Sequence, residues 1–269
     1  MSLSLVLFLF LTHLGVGIAW TLLLVPRAAG VKFFRFNAGL AVILLVIGLA
    51  FDPGIGDAGH IWNSVSALAL RTATGALLLF WITVGRMAKA LQPGLLWTTV
   101  VASGVMLVAQ AFGVASVQPV SMPVLAVASF VSSAALLGGT CTAMILGHWY
   151  LVLPSMDVSF LQKIVKFHIG STIVRIAVVG VAVYIAVASL ESGLGFDFQR
   201  YVLSVAGIFF WQRVLFGLLG PSVLAYLTWE TAKIRSTQSA TGILYVDFFT
   251  VMVGEILAKY LFLSTGVPL

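Results

Sequence analysis

Charge is scarce in this chain. Only 8% of its 269 residues are Asp, Glu, Lys or Arg, against 61% that are hydrophobic, and the mean hydropathy is +1.14. A soluble globule of this size needs a polar coat that so few charged residues cannot supply, so lipid has to cover the outer surface. Cysteine is almost absent as well. The lone Cys141 excludes an internal disulfide framework and any cysteine-built zinc site or iron–sulfur cluster within the chain. No Walker loop, dinucleotide-binding glycine fingerprint, zinc-protease histidine pair or nucleophile elbow falls on a suitable element, which argues against a stand-alone hydrolase or a nucleotide-driven pump. The formal net charge of +6 comes from basic residues in short loops between apolar runs. Membrane topology accounts for them there without nucleic acid.

Long apolar runs are abundant. Eight of them reach about 18 residues or more, enough to cross a ~30 Å hydrocarbon core as helices. The predicted spans are 3–25, 36–51, 64–86, 94–116, 125–152, 164–190, 201–229 and 240–263. Pro26, Asp52-Pro53-Gly54, Pro93-Gly94, Pro119, Pro123, Pro154, Gly193 to Gly195 and the polar run Lys233 to Ser239 punctuate them. The second span is the shortest of the eight. The expectation is an all-α, polytopic integral membrane bundle forming a single transmembrane domain over residues 1–269. The first segment lacks a basic lead-in and a small-residue cleavage site and carries His13 and Trp20, so it reads as a span rather than a signal peptide.

The loops alternate in charge. Arg27, Lys32 and Arg35 follow the first span, Arg86 and Lys89 the third, Lys163 and Lys166 the fifth, and Lys233 and Arg235 the seventh. The opposite loops carry Asp52 and Asp57, then Glu191 and Asp197 against a single Arg200. The positive-inside rule therefore predicts a cell inner (cytoplasmic) membrane protein with both termini outside the cytoplasm. A faint repeat, Arg71-x-x-x-Gly75 in span three and Arg213-x-x-x-Gly217 in span seven, is consistent with two parallel four-helix halves, 1–118 and 119–269. Coincidence in an apolar alphabet is the alternative.

Ionisable groups inside the spans are the candidate functional residues, because each costs several kcal/mol unless it pairs or lines a cavity. Counting at ~1.5 Å per residue from the cytoplasmic helix ends gives two layers. His13, Arg71, Arg213 and Glu255 fall ~20–24 Å deep, as a polar intramembrane cluster, and His148, His168, Arg175 and Asp247 fall within ~15 Å. Arg213 and Glu255, on consecutive antiparallel helices at matched depth, are predicted to pair, with Lys259 competing for Glu255 or snorkelling outward. Arg71 would leave its layer with excess positive charge, which invites an anion. His148 and His168 sit near the cytoplasmic ends of one hairpin, where two imidazoles could ligate a haem b iron, with Arg175 nearby on the same polar stripe as His168, Ser171 and Thr172. His60 lies in an outer loop. Gly138, Gly139, Gly147 and Gly170 could leave room for a macrocycle or let helices approach closely. A quinone-binding role and ordinary interfacial histidines are the other readings of the pair. The polar turn Thr228 to Thr241 reads as a solvated loop with Ser236 or Ser239 capping the last helix.

Eight spans in two four-helix halves resemble, in helix count, the quinone-binding membrane subunits of the polysulfide-reductase type. The expected function is a membrane subunit of a respiratory-type electron-transfer complex, interacting with quinol and with other subunits, and at most a non-autonomous part of an oxidoreductase. A small secondary transporter and a scaffold subunit without chemistry of its own are the alternatives.

Overall fold

The computed structural model describes residues 3–52, 61–86, 88–116, 122–153, 155–188, 198 and 200–269. Asp57, His60, Glu191, Asp197 and the breaks at Pro53-Gly54, Pro119, Pro154 and Gly193 to Gly195 lie outside the described residues. Eight helices are long and apolar enough to cross a membrane. They are α1 (Leu3–Thr21), α2 (Val31–Ala50), α3 (Ile61–Thr83), α4 (Gln92–Ser116), α5 (Pro123–Val152), α6 (Ser159–Ala188), α7 (Ile208–Lys233) and α8 (Thr237–Thr265). The chain is a multi-pass membrane bundle.

Helix ends differ from the predicted ones where local chemistry outweighs hydropathy. α1 stops at Thr21, and a short 3-10 turn, Arg27–Ala29, leads to Gly30 with φ +92. That left-handed backbone suits glycine and lets α2 start at Val31, five residues before the predicted start at residue 36, so α2 is a full 20-residue span despite its basic first turns. α6 likewise starts at Ser159 rather than 164. The carboxylate of Asp157 accepts the Ser159 backbone N–H at 2.9 Å, and this bond holds its carboxyl below the usual carboxylate range.

α5 is the centre of the bundle, packed against α1, α4, α6 and α8. The apolar windows of α1 and α5 are each 67% buried, those of α6 and α7 only 33%, so the latter form the periphery. Lipid tails are as apolar as leucine, so close packing and polar contacts, rather than hydrophobic exclusion, must hold such helices together. The glycines of α5 serve that end, each against a different neighbour. A Cβ on Gly138 would run into the backbone of Gly17 on α1, one on Gly139 would press on Phe167 and His168 of α6, and one on Gly147 would press on Thr241 and Leu244 of α8. The space beside these three glycines is filled by helices. At the basic end, Lys166 and Lys233 both stand over the Trp229 ring, at 5.1 and 5.5 Å from its centroid, and Gln162 donates to the Ala232 carbonyl at 3.1 Å.

α7 carries a π-helical segment at Leu215–Leu219, followed by Pro221. Proline has no N–H to give to the Gly217 carbonyl, its partner one turn back. Arg213 Nη1 donates to that carbonyl instead, at 3.0 Å. The irregular turn thus fixes the guanidinium that the site below depends on.

Candidate functional site

Two polar sites are buried in the bundle and a third lies at its edge. The deepest gathers around Glu255 on α8. Its Oε1 accepts from Arg175 Nε and from Arg213 Nη2, each at 2.9 Å, and its Oε2 accepts from Arg175 Nη2 at 3.2 Å and from Lys259 Nζ at 3.1 Å. All four residues are at most 3% exposed, so low dielectric surrounds every charge. The hydroxyls of α5 complete the shell. Arg175 Nη1 donates to the Ser129 carbonyl and hydroxyl at 3.1 and 2.8 Å, Arg175 Nη2 donates to a backbone oxygen of Leu269 at 3.0 Å, and Lys259 Nζ donates to Ser133 Oγ at 2.5 Å. Three cationic side chains thus share one side-chain carboxylate inside the bundle.

The predicted Arg213–Glu255 pair is present and is one part of this larger cluster. Arg175, expected in the shallower layer, lies in the deeper one instead. α6 begins five residues before its predicted start, which puts Arg175 about 24 Å from that helix end and level with Glu255, about 27 Å along α8. Lys259 does not snorkel: it is 3% exposed and turned inward. His13 is buried one helix away, its Nδ1 3.4 Å from Ser133 Oγ and its ring edge-on to Phe130. Arg71 is the exception. It lies on the outer face of α3, exposed, and takes no part in the cluster.

The second site is His168. Its Nε2 is 2.7 Å from Asp247 Oδ2 and its Nδ1 is 3.0 Å from Thr140 Oγ1, with both the histidine and the aspartate fully buried. Among the described residues Asp247 Oδ1 has no hydrogen-bond partner. Both imidazole nitrogens are engaged, and the ring sits level with Thr140, two helical turns, or about 12 Å, from His148 along α5. Two ~2 Å iron–nitrogen bonds cannot bridge that offset, so the residues present do not fit the bis-histidine haem that the sequence raised. Among the described residues no cluster of three or more metal-ligating side chains forms.

His148 belongs to the third site. It is exposed at the edge of the bundle, with Nδ1 2.8 Å from the Tyr245 hydroxyl. The two side chains stand at one end of a lateral cleft of about 610 Å³ between α1, α2, α5 and α8. Leu14, Leu40, Cys141, Met144, Phe248 and Met252 line the rest of it, so the wall of the cleft is apolar, with the His148–Tyr245 pair at one end. Such a shape suits an amphiphile with a flat polar head and an apolar tail.

Sequence reasoning missed three things here. The serines Ser129, Ser132 and Ser133 are not among the candidates the sequence offers, yet Ser129 and Ser133 accept from buried cations, with Ser132 Oγ 3.4 Å from Arg175 Nη1. Their spacing on one helix face was the available signal. The pairing of His168 with Asp247 had only matched depth to announce it. Tyr245, which lines the lateral cleft, is not among the candidates the sequence offers. At the polar turn, Ser236 occupies the N-cap of α8 but donates to the Ser239 hydroxyl at 3.0 Å rather than accepting a backbone N–H. Comparison of the chain with protein-family models, curated proteins and solved structures finds no match.

Proposed function

We propose that the chain is a membrane subunit of an electron-transfer complex and that it handles quinol in the cleft between α1, α2, α5 and α8. The carrying observation is the union of an apolar, bilayer-facing cleft of about 610 Å³ with the hydrogen-bonded pair His148 and Tyr245 at one end. A quinone carbonyl accepts from an imidazole N–H or a phenol O–H, and a quinol hydroxyl donates to an imidazole nitrogen, so this pair can hold either redox form. Oxidation of quinol to quinone releases two electrons and two protons. The side chains orient the ring and take up protons, and the electrons pass to a redox centre of another subunit.

The alternation of basic loops supports an orientation in the inner (cytoplasmic) membrane with both termini outside and the His148 end towards the cytoplasm, where protons exchange with water. His148 is four residues, about 6 Å, from the end of α5. The buried charges around Glu255 favour a second reading, a secondary transporter whose polar core lines an alternating-access path.

Photoaffinity labelling with an azido-ubiquinone separates the two. Label is expected on α5 and α8 around His148 and Tyr245, falling about tenfold or more in His148→Ala and Tyr245→Phe together, since each lost head-group hydrogen bond is worth about 1 kcal/mol. Labelling that is absent, or indifferent to both substitutions, defeats the quinol reading and leaves transport.

A further inference from the structure

Arg71 stands in an environment that a charged residue does not tolerate alone. It is ten residues from Ile61 and twelve from Thr83, so about 15 and 18 Å from the two ends of α3. That is the middle of the hydrocarbon region, and the arginine side chain is too short to carry its guanidinium from there to either interface. Yet Arg71 is exposed, and among the described residues it makes no hydrogen bond or ion pair. Ser64, Leu68, Arg71, Thr72, Leu79 and Ile82 are all exposed and recur at helical spacing, so they form one open face. Gly75 lies on the same side of α3, one turn beyond Arg71, and a Cβ there would meet nothing within 4 Å.

The same spacing occurs at Arg35 and Gly39, in the first turns of α2, and at Arg213 and Gly217 of α7, where the arginine has its partner in place. Arg213 and Gly217 of α7 lie against Gly254 and Glu255 of α8. The two glycines let the backbones touch, since a Cβ on Gly254 would collide with Gly217, and the close approach puts Arg213 Nη2 2.9 Å from Glu255 Oε1. Arg213 is thus satisfied by a helix that presents a small residue beside a carboxylate.

Among the described residues a second copy of this chain offers no such helix. Among the described residues only Asp247 and Glu255 are acidic and lie in the central turns of a helix, and both are fully buried and bonded within their own chain. We infer that the Arg71 face of α3 is the docking surface for a transmembrane helix of a different subunit, one that carries a carboxylate next to a small residue at mid-membrane depth. This rests on the reading of the chain as part of a larger complex and is independent of the quinol cleft, which other helices line.

The test uses the full chain, tagged, in the membranes of its own cell, with a photo-crosslinking phenylalanine at Leu68 or Leu79 and, as control, at exposed Ile173 on α6. The expected adduct joins α3 to a membrane span of another protein containing Asp or Glu. Its yield falls tenfold or more in Arg71→Leu and returns when Arg71→Glu is combined with exchange of that carboxylate for arginine. The purified chain alone should respond in the opposite sense, with Arg71→Leu raising its unfolding temperature, because only an unpaired charge is removed. Adducts with lipid alone or between two copies, a yield unaffected by Arg71→Leu, or a lowered unfolding temperature for the isolated variant would each overturn the inference.

Discussion

The two buried charge sites are balanced in opposite ways. Around Glu255 the donors outnumber the acceptor: Arg175, Arg213 and Lys259 converge on one carboxylate, and α5 supplies serine oxygens and a carbonyl for the surplus N–H groups. At His168 the acceptors are in surplus, because Asp247 brings two oxygens and only Oδ2 is used. The first site ties α5, α6, α7 and α8 together; the second ties α5, α6 and α8. A membrane interior has no water to fill either shortfall, so the neighbouring helices must, and the site that draws on more helices should be the costlier to damage.

The largest effect is therefore expected at the Glu255 cluster. Glu255→Gln deprives three buried cations of the side-chain carboxylate they share and should destabilise the bundle by about 3–5 kcal/mol or more, read as thermal unfolding in mild detergent. Adding Arg213→Gln should recover only part of that, since Arg175 and Lys259 still face the neutral amide. Full recovery in the double variant would reduce the cluster to a simple pair and erase the contrast between the two sites.

A smaller loss is expected at the second site. Asp247→Asn removes the charge but keeps an oxygen that accepts from the imidazole N–H, so the cost should be about 1–2 kcal/mol in the same assay. A loss as large as that of Glu255→Gln would show the His168–Asp247 contact to be a full ion pair, and the two sites to be alike.

The smallest effect lies outside the membrane and sets the baseline for both. Asp157 is exposed and its carboxyl is held below the usual range by the Ser159 N–H, so its stabilising contribution is present above the unfolded-state value and fades as pH falls through the lower folded-state value. Asp157→Ala should slightly lower the unfolding temperature at neutral pH, and the difference from the parent chain should vanish in acid. A difference that persists there would mean that the start of α6 depends on packing rather than on this bond.

Membrane class and span number were legible in the sequence because hydropathy over some 20 residues is a property of the chain itself, needing no partner. Depth was legible wherever a helix start was: Arg213 and Glu255 were paired correctly from residue counts, whereas Arg175 was misplaced because α6 begins five residues before hydropathy alone indicates. The mistake came from Ser159 to Lys163, polar enough to look like loop yet helical because Asp157 binds the first turn.

The facing of side chains was not legible. Arg71 and Arg213 share a spacing with glycine, yet one guanidinium is exposed and the other wholly buried, because nothing in four residues of sequence states which side of a helix its neighbours occupy. Likewise His148 and His168 looked like facing ligands on one hairpin, and only the packing of His168 against Thr140 set them two turns apart. Sequence alone determined what this chain dissolves in and how often it crosses. Tertiary structure decided which polar groups meet, because a helix buried on several sides can turn its charged residues towards any neighbour, and close contacts at single glycines fix the choice.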